Sequence, residues 1–214
     1  MKIKNFKLLK NSTILSLPGL FSIFLSLVSI PIHLDIAGTE SYGNYIIFHF
    51  ILIISMIFNF GIGKSIIVSI NNFPKKNKEV AYEGLNYTFF IIGILILIFY
   101  FFSLLNKDLF VNYLINNSFL NYVLFGFIVS IIYVSLEGIL QGNHKFKYQS
   151  FYNFIFFSLS LSLPSISLIF DENLTFKNLI TLTLLIKLIT VIVMFIIILN
   201  EKLVKKGKSK ILLY

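Results

Sequence analysis

No cysteine and no tryptophan occur among the 214 residues, and all 18 basic residues are lysine. Without cysteine there is no disulfide framework, no thiolate metal site and no cysteine nucleophile. Charge is scarce too. Only 13% of the residues are charged and 57% are hydrophobic, against about 25% and about 45–50% in a soluble domain. With a mean hydropathy of +0.89, the chain carries more apolar surface than one ordinary core can bury, and the excess has to face lipid. That excludes a cytosolic enzyme, a nucleic-acid-binding module and a secreted scaffold. In a soluble protein the net charge of +9 would point to nucleic acid; here its position along the chain gives it another meaning. The missing arginine accompanies heavy use of Ile, Phe, Asn and Lys, as an AT-rich coding sequence produces, and is not a functional clue.

What the chain has instead is long apolar runs. A bilayer-spanning helix needs about 20 mostly apolar residues, and six stretches qualify: near 14–34, 45–70, 87–105, 119–140, 151–170 and 179–199. The second is too long for one straight span, so it tilts or carries its end into the cytoplasm. Solid runs exclude a transmembrane barrel, whose strands alternate. Helices remain, because no water satisfies backbone groups inside a bilayer. The expected fold class is therefore all-α: a six-helix transmembrane lobe over residues 1–200, followed by a basic tail at 201–214. The first run is too long for a signal peptide and lacks a small-residue cleavage site, so it is expected to stay as an anchor. Loops of roughly 5–15 residues leave no room for an inserted soluble domain.

The lysines set the orientation. The N-terminal tail, the loop after the second span, the loop after the fourth and the C-terminal tail together hold 14 of them. The opposite loops hold only Lys107 and Lys177, beside Asp35, Glu40, Asp108, Asp171 and Glu172. Strict alternation of this kind places both termini in the cytoplasm, and adding or removing one helix would destroy it.

Polar groups inside spans are costly and mark function by default. Lys187 lies near the middle of the sixth span, too deep for its ammonium to snorkel out, so it faces the bundle interior or a wet cavity. Lys64 follows Gly61-Ile62-Gly63 in the inner half of the second span, where it lines a cavity or reaches the headgroups. Two interior cations with few carboxylates suit an anionic ligand such as phosphate or pyrophosphate. Glu137, near the inner end of the fourth span, is an interfacial glutamate, a lysine partner or a carrier of a coupling proton. His49 and Asn59 hydrogen-bond across helices or touch substrate. The serines Ser22, Ser26 and Ser29, and Ser158, Ser162 and Ser165, recur at helical spacing and read as packing stripes. Beside them Pro18 and Pro164 remove backbone hydrogen bonds and kink their helices. Gly138 and Gly142 make a GxxxG match, which is weak alone. His33, His49 and His144 are scattered and form no metal-ligand pattern. No phosphate-binding Gly-rich loop is followed by Lys-Ser or Lys-Thr. No catalytic residues, metal or cofactor are expected.

Three segments resemble a known family. Ile30-Pro31-Ile32, then Gly38-Thr39-Glu40-Ser41-Tyr42-Gly43-Asn44-Tyr45, is similar to the proline and Gly-x-x-x-(Tyr/Phe)-Gly turn of bacterial polysaccharide flippases. These are the O-antigen and capsule transporters of the multidrug/oligosaccharidyl-lipid/polysaccharide exporter superfamily. Asn59-Phe60-Gly61-Ile62-Gly63-Lys64 resembles that family's Asn/Asp-Phe-Gly-(Leu/Ile)-Gly stretch. Leu140-Gln141-Gly142, with Lys145 and Phe146 shortly after, resembles its Leu-Gln-Gly followed by a basic residue and Phe. The resemblance implies two six-helix lobes around a cationic cavity that alternates between faces. It implies a saccharide unit on undecaprenyl pyrophosphate as substrate, in the bacterial inner membrane, with coupling to protons or sodium. The lipid-linked saccharide, membrane lipids and a second six-helix lobe or a second copy are the implied partners; nucleic acid is not.

A complete flippase has about twice this length, and transporters of this kind bind substrate between two repeats. The expectation is a truncated product, ending abruptly at Ile211-Leu212-Leu213-Tyr214; half of a split transporter and a homodimer are the alternatives. Other readings are a multidrug exporter-like lobe, which should carry more intramembrane carboxylates, and a non-transporting subunit or inactive remnant. A membrane-embedded transferase lacks a visible catalytic pair.

Overall fold

Backbone groups in a bilayer are satisfied most simply within a helix, and the computed structural model is helical throughout its regular structure. It describes residues 2–56, 61–105 and 116–206, with side chains described over 12–56, 61–101 and 119–206. The helices are α1 (Lys2–Ser55), α2 (Ile62–Asn72), α3 (Asn77–Leu105), α4 (Asn116–Gly142), α5 (Phe146–Asn153), α6 (Ser160–Ser167) and α7 (Phe176–Asn200). A 3-10 turn, Pro74–Lys76, precedes α3, and a π-helical segment, Phe154–Leu159, joins α5 to α6.

Among the described residues four helical stretches are long and apolar enough to cross a membrane: Ser12–Ser55, Pro74–Phe101, Phe119–Gly142 and Phe176–Asn200. The six expected spans map onto these unevenly, for physical reasons. The first span and the start of the second share α1. A straight helix over its 44-residue stretch Ser12–Ser55 would be roughly 66 Å long, about twice the hydrocarbon thickness. It is broken at Gly38, whose φ of 81° and ψ of 170° are not helical. A Cβ at Gly38 would meet nothing within 4 Å, so glycine is needed there for its backbone freedom. The run 45–70 is not one helix. α1 ends at Ser55, and α2 starts after Gly61, which is left-handed at φ 75°. Asn59 lies outside the described residues. The fifth span is divided into α5, the π segment and α6.

The chain forms two compact units, one from Met1–His49 and Asn143–Met194, the other from Phe50–Gly142 and Phe195–Tyr214. In the first unit, Tyr45, Leu168 and Leu179 make a core with Ile36, Ala37, Leu161 and Phe176 packed on it. Ascending from Phe156 through Ser160 meets descending positions Lys187 and Thr183, so α6 and α7 form an antiparallel hairpin. Its turn is held by the Asp171 carboxylate, which accepts from the Asn173 N–H at 3.0 Å.

Two prolines expose carbonyls that the fold then satisfies. Pro18 cannot donate to Ile14, and the Ser150 hydroxyl donates to the Ile14 carbonyl instead. Pro164 cannot donate to Ser160, whose carbonyl takes bonds from the Tyr45 hydroxyl at 3.3 Å and the Thr183 hydroxyl at 3.2 Å. Of the fifth-span serines, Ser158, Ser162 and Ser165 are all buried, the packing arrangement their spacing indicates.

The second unit packs α2, α3 and α4 against one another. Glycine makes this possible. A Cβ on Gly138 would lie 2.6 Å from the Gly63 carbonyl oxygen, so the α2 and α4 backbones nearly touch. Ile66 and Ile70, one turn apart on α2, fill the spaces left by Gly84 and Gly142. Across the same unit the Thr88 hydroxyl donates to Ser135 at 2.7 Å. The GxxxG pair is thus a packing surface against α2, and residues of the second and third family-like motifs, Lys64 and Gln141, line one groove beside it. From the tail, the Lys205 N–H donates to the Lys78 carbonyl at 3.0 Å.

Candidate functional site

The first unit holds a line of buried polar groups between α1, α6 and α7. At one end the ring of His33, itself fully buried, bonds through Nδ1 to the Ser165 hydroxyl at 2.8 Å and through Nε2 to the Ser41 hydroxyl at 3.3 Å. Ser41 is half-buried. The His33 ring lies 5.3 Å from that of Tyr45, and Tyr45 lies 4.7 Å from His49. The Tyr45 hydroxyl sits among the Thr183 hydroxyl and the Leu161 carbonyl, both at 2.9 Å, and the Ser160 carbonyl. One turn further along α7, Lys187 is only 4% exposed. Its ammonium donates to the Phe156 carbonyl at 2.9 Å and lies 3.9 Å from the centroid of the Phe156 ring.

The burial of Lys187 has a physical cost that these contacts offset in part. A buried ammonium needs hydrogen-bond acceptors or negative charge. The unit's four acidic residues, Asp35, Glu40, Asp171 and Glu172, are all exposed. The ammonium therefore depends on one carbonyl and on the quadrupole of the Phe156 ring, with the Phe157 ring 5.7 Å away. The same carbonyl also accepts from the Ser160 hydroxyl; it lies in the π segment, and single π turns recur at functional sites. His49 is 8% exposed, and its Nε2 has no hydrogen-bond partner among the described residues.

The second unit carries a groove of about 460 Å³ lined by Gly61, Gly63, Lys64, Glu137, Gly138 and Gln141. Lys64 is exposed and Glu137 half-buried, so the walls bring opposite charges to one concavity. An apolar groove of about 400 Å³ in the first unit, lined by Pro18, Phe21, Lys147 and Phe151 among others, lies along α1 and α5.

Of the residues singled out from sequence, Lys64 and Glu137 share one groove. Lys187 and His49 share the buried line of the first unit, and Lys187 lines neither groove. Sequence reasoning passed over Tyr45, Thr183 and His33, which connect that line. A signal was present: Tyr45 and His49, and likewise Thr183 and Lys187, are four residues apart and so share a helix face. Pro164 marked the Ser160 carbonyl as needing a donor from outside its helix. His144 stands apart, with a left-handed φ of 58° and its ring beside Phe146.

Residues 8–170 match the sequence pattern of a family described as polysaccharide biosynthesis protein. No curated protein and no solved structure matches the chain. The matched span takes in all three motifs, the α2–α4 glycine crossing and the Lys64–Glu137 groove, and reaches through the π segment that receives Lys187. This chain of long apolar helices belongs to the polysaccharide biosynthesis protein family.

Proposed function

We propose that the chain is a transporter lobe, not an enzyme, and that it moves undecaprenyl-pyrophosphate-linked saccharide units across the bacterial cytoplasmic membrane. The observation that carries this reading is the family match over residues 8–170 in a membrane protein. Six spans with both termini cytoplasmic belong to the same proposal, supported by the lysine distribution. The break of α1 at Gly38 supplies the turn between the first two spans, and α5, the π segment and α6 together supply the fifth. The partner is a second six-helix lobe, whether in the same polypeptide, in another chain or in a second copy.

Lys187 and Lys64 are the residues proposed to attract the pyrophosphate. An ammonium is a good point-charge partner for phosphate, and for Lys187 the competing contacts are one carbonyl and a ring rather than a carboxylate. The Lys64–Glu137 groove adds a polar surface suited to hydroxyls.

The test is genetic and biochemical. Loss of the chain in its native cell should abolish the surface polysaccharide and leave lipid-linked saccharide in the inner leaflet. Lys187→Ala, at equal protein level, should reduce export. Normal export without the chain would end the transporter reading, and normal export with Lys187→Ala would remove that lysine from it.

A further inference from the structure

The groove along α1 and α5 has a charged end and an apolar end. Lys147, exposed at the start of α5, stands at the first. Beyond it the lining is Ile14 and Pro18 on one side and Phe151 and Phe154 on the other. At the second end the rings of Phe21 and Phe154 meet edge to face, with centroids 5.6 Å apart. Hydrogen bonds hold the two walls together. The Ser150 hydroxyl donates to the Ile14 carbonyl, which Pro18 leaves free, and the Ser158 hydroxyl donates to the Pro18 carbonyl at 3.3 Å. The groove is therefore preformed.

Charge is segregated along this unit. Lys145 and Lys147 begin the fifth span, and Lys7 and Lys10 precede Ile14 in α1. The unit's acidic residues, Asp35, Glu40, Asp171 and Glu172, lie at the other ends of the same helical stretches. Among the described residues no carboxylate lines the groove. The occupant that matches is amphipathic, with a negative head and a hydrocarbon chain. We propose that the groove binds one anionic phospholipid, its phosphate at Lys147 and an acyl chain along Pro18, Phe21 and Phe154.

Basic pockets between membrane helices select anionic head groups, and an ammonium is a point-charge partner for phosphate. A zwitterionic phospholipid would bring its own cation to the lysine-rich end and gain less. A volume of about 400 Å³ suits a ligand of moderate size, one acyl chain rather than the much longer polyprenyl chain. The site rests on charge and shape, not on what the chain transports. In the topology proposed above, its charged end lies at the cytoplasmic surface.

The chain has no tryptophan, so a single Phe21→Trp reports on the groove without background. Phe151→Trp serves if that variant does not fold. The full chain is reconstituted into bilayers of phosphatidylcholine and phosphatidylglycerol, one of them brominated on its acyl chains so that it quenches a tryptophan it touches. At the groove, brominated phosphatidylglycerol should bind about fivefold better than brominated phosphatidylcholine, the preference one lysine confers. Lys147→Ala should remove most of that preference. Phe90→Trp, on the exposed face of α3, should be quenched equally by both lipids. Equal quenching at Phe21→Trp, or a preference that survives Lys147→Ala, overturns the proposal. So does a groove tryptophan that neither lipid quenches, which would mean that protein covers it. Loss of the quenching on adding an equimolar amount of polyprenyl phosphate overturns it in favour of the transported lipid. None of these readouts needs transport, so a failed saccharide assay strikes the transporter reading and leaves the phospholipid site standing.

Discussion

Tyr45 is the residue on which most of the first unit's buried hydrogen bonding converges. Its hydroxyl meets Thr183 and the carbonyls of Ser160 and Leu161, two of which lie in the region that Pro164 disturbs. Tyr45→Phe leaves the ring contacts with His33 and His49 intact and removes only the oxygen. Leaving such groups unsatisfied costs about 1–3 kcal/mol. We expect Tyr45→Phe to lower stability by that amount in a denaturant or thermal titration followed by circular dichroism. Thr183→Val should act on the same network, so the double variant should cost less than the sum of the two. Tyr45 closes the first family-like motif, yet its apolar neighbours gave no sign that it caps a broken helix. That became visible only when a proline 119 positions away placed a free carbonyl beside it.

At the scale of elements, two kinds of glycine behave differently. Gly38 is needed for a backbone angle, whereas Gly138 is needed because the Gly63 carbonyl occupies the place of its Cβ. Gly138→Ala must push α2 away from α4 and should cost about 1–3 kcal/mol, the usual penalty of overpacking. Gly93 in α3 is exposed, and a Cβ there meets nothing within 4 Å. Gly93→Ala should therefore be neutral, or stabilising by up to about 1 kcal/mol through helix propensity. The same unfolding titration checks both. The GxxxG spacing alone could not tell these cases apart, since it does not say which helix lies opposite. Similarly, the run 45–70 was legible as apolar and too long, and the left-handed Gly61 explains how the structure divides it.

For the molecule as a whole, the lysine distribution makes a topological prediction. The absence of cysteine allows single cysteines to be placed without background. Lys76→Cys, in the basic loop before α3, should react with a membrane-impermeant maleimide only after cells are opened. Glu172→Cys, in the acidic turn between α6 and α7, should react in intact cells. Labelling of both sites from outside, or of neither, contradicts the alternating arrangement. This measurement also tests the six-span proposal, because a change of one span exchanges the sides of every later loop.

Composition and the spacing of apolar runs determined on their own that this is a helical membrane protein, and three short motifs indicated its family. Such properties are additive along the chain: each 20-residue stretch is apolar or not, whatever the rest does. They also singled out Lys187, because depth in a span is a property of one helix. What surrounds that lysine was decided by tertiary structure. The Phe156 carbonyl and ring reach it from the π segment of the fifth span, and the contact between the Tyr45 and Thr183 hydroxyls joins α1 to α7 one turn away. Helices that are apolar all round carry little information about which face meets which neighbour. That choice rests on freed carbonyls, glycine gaps and buried hydroxyls, which reveal their partners only once the chain has folded.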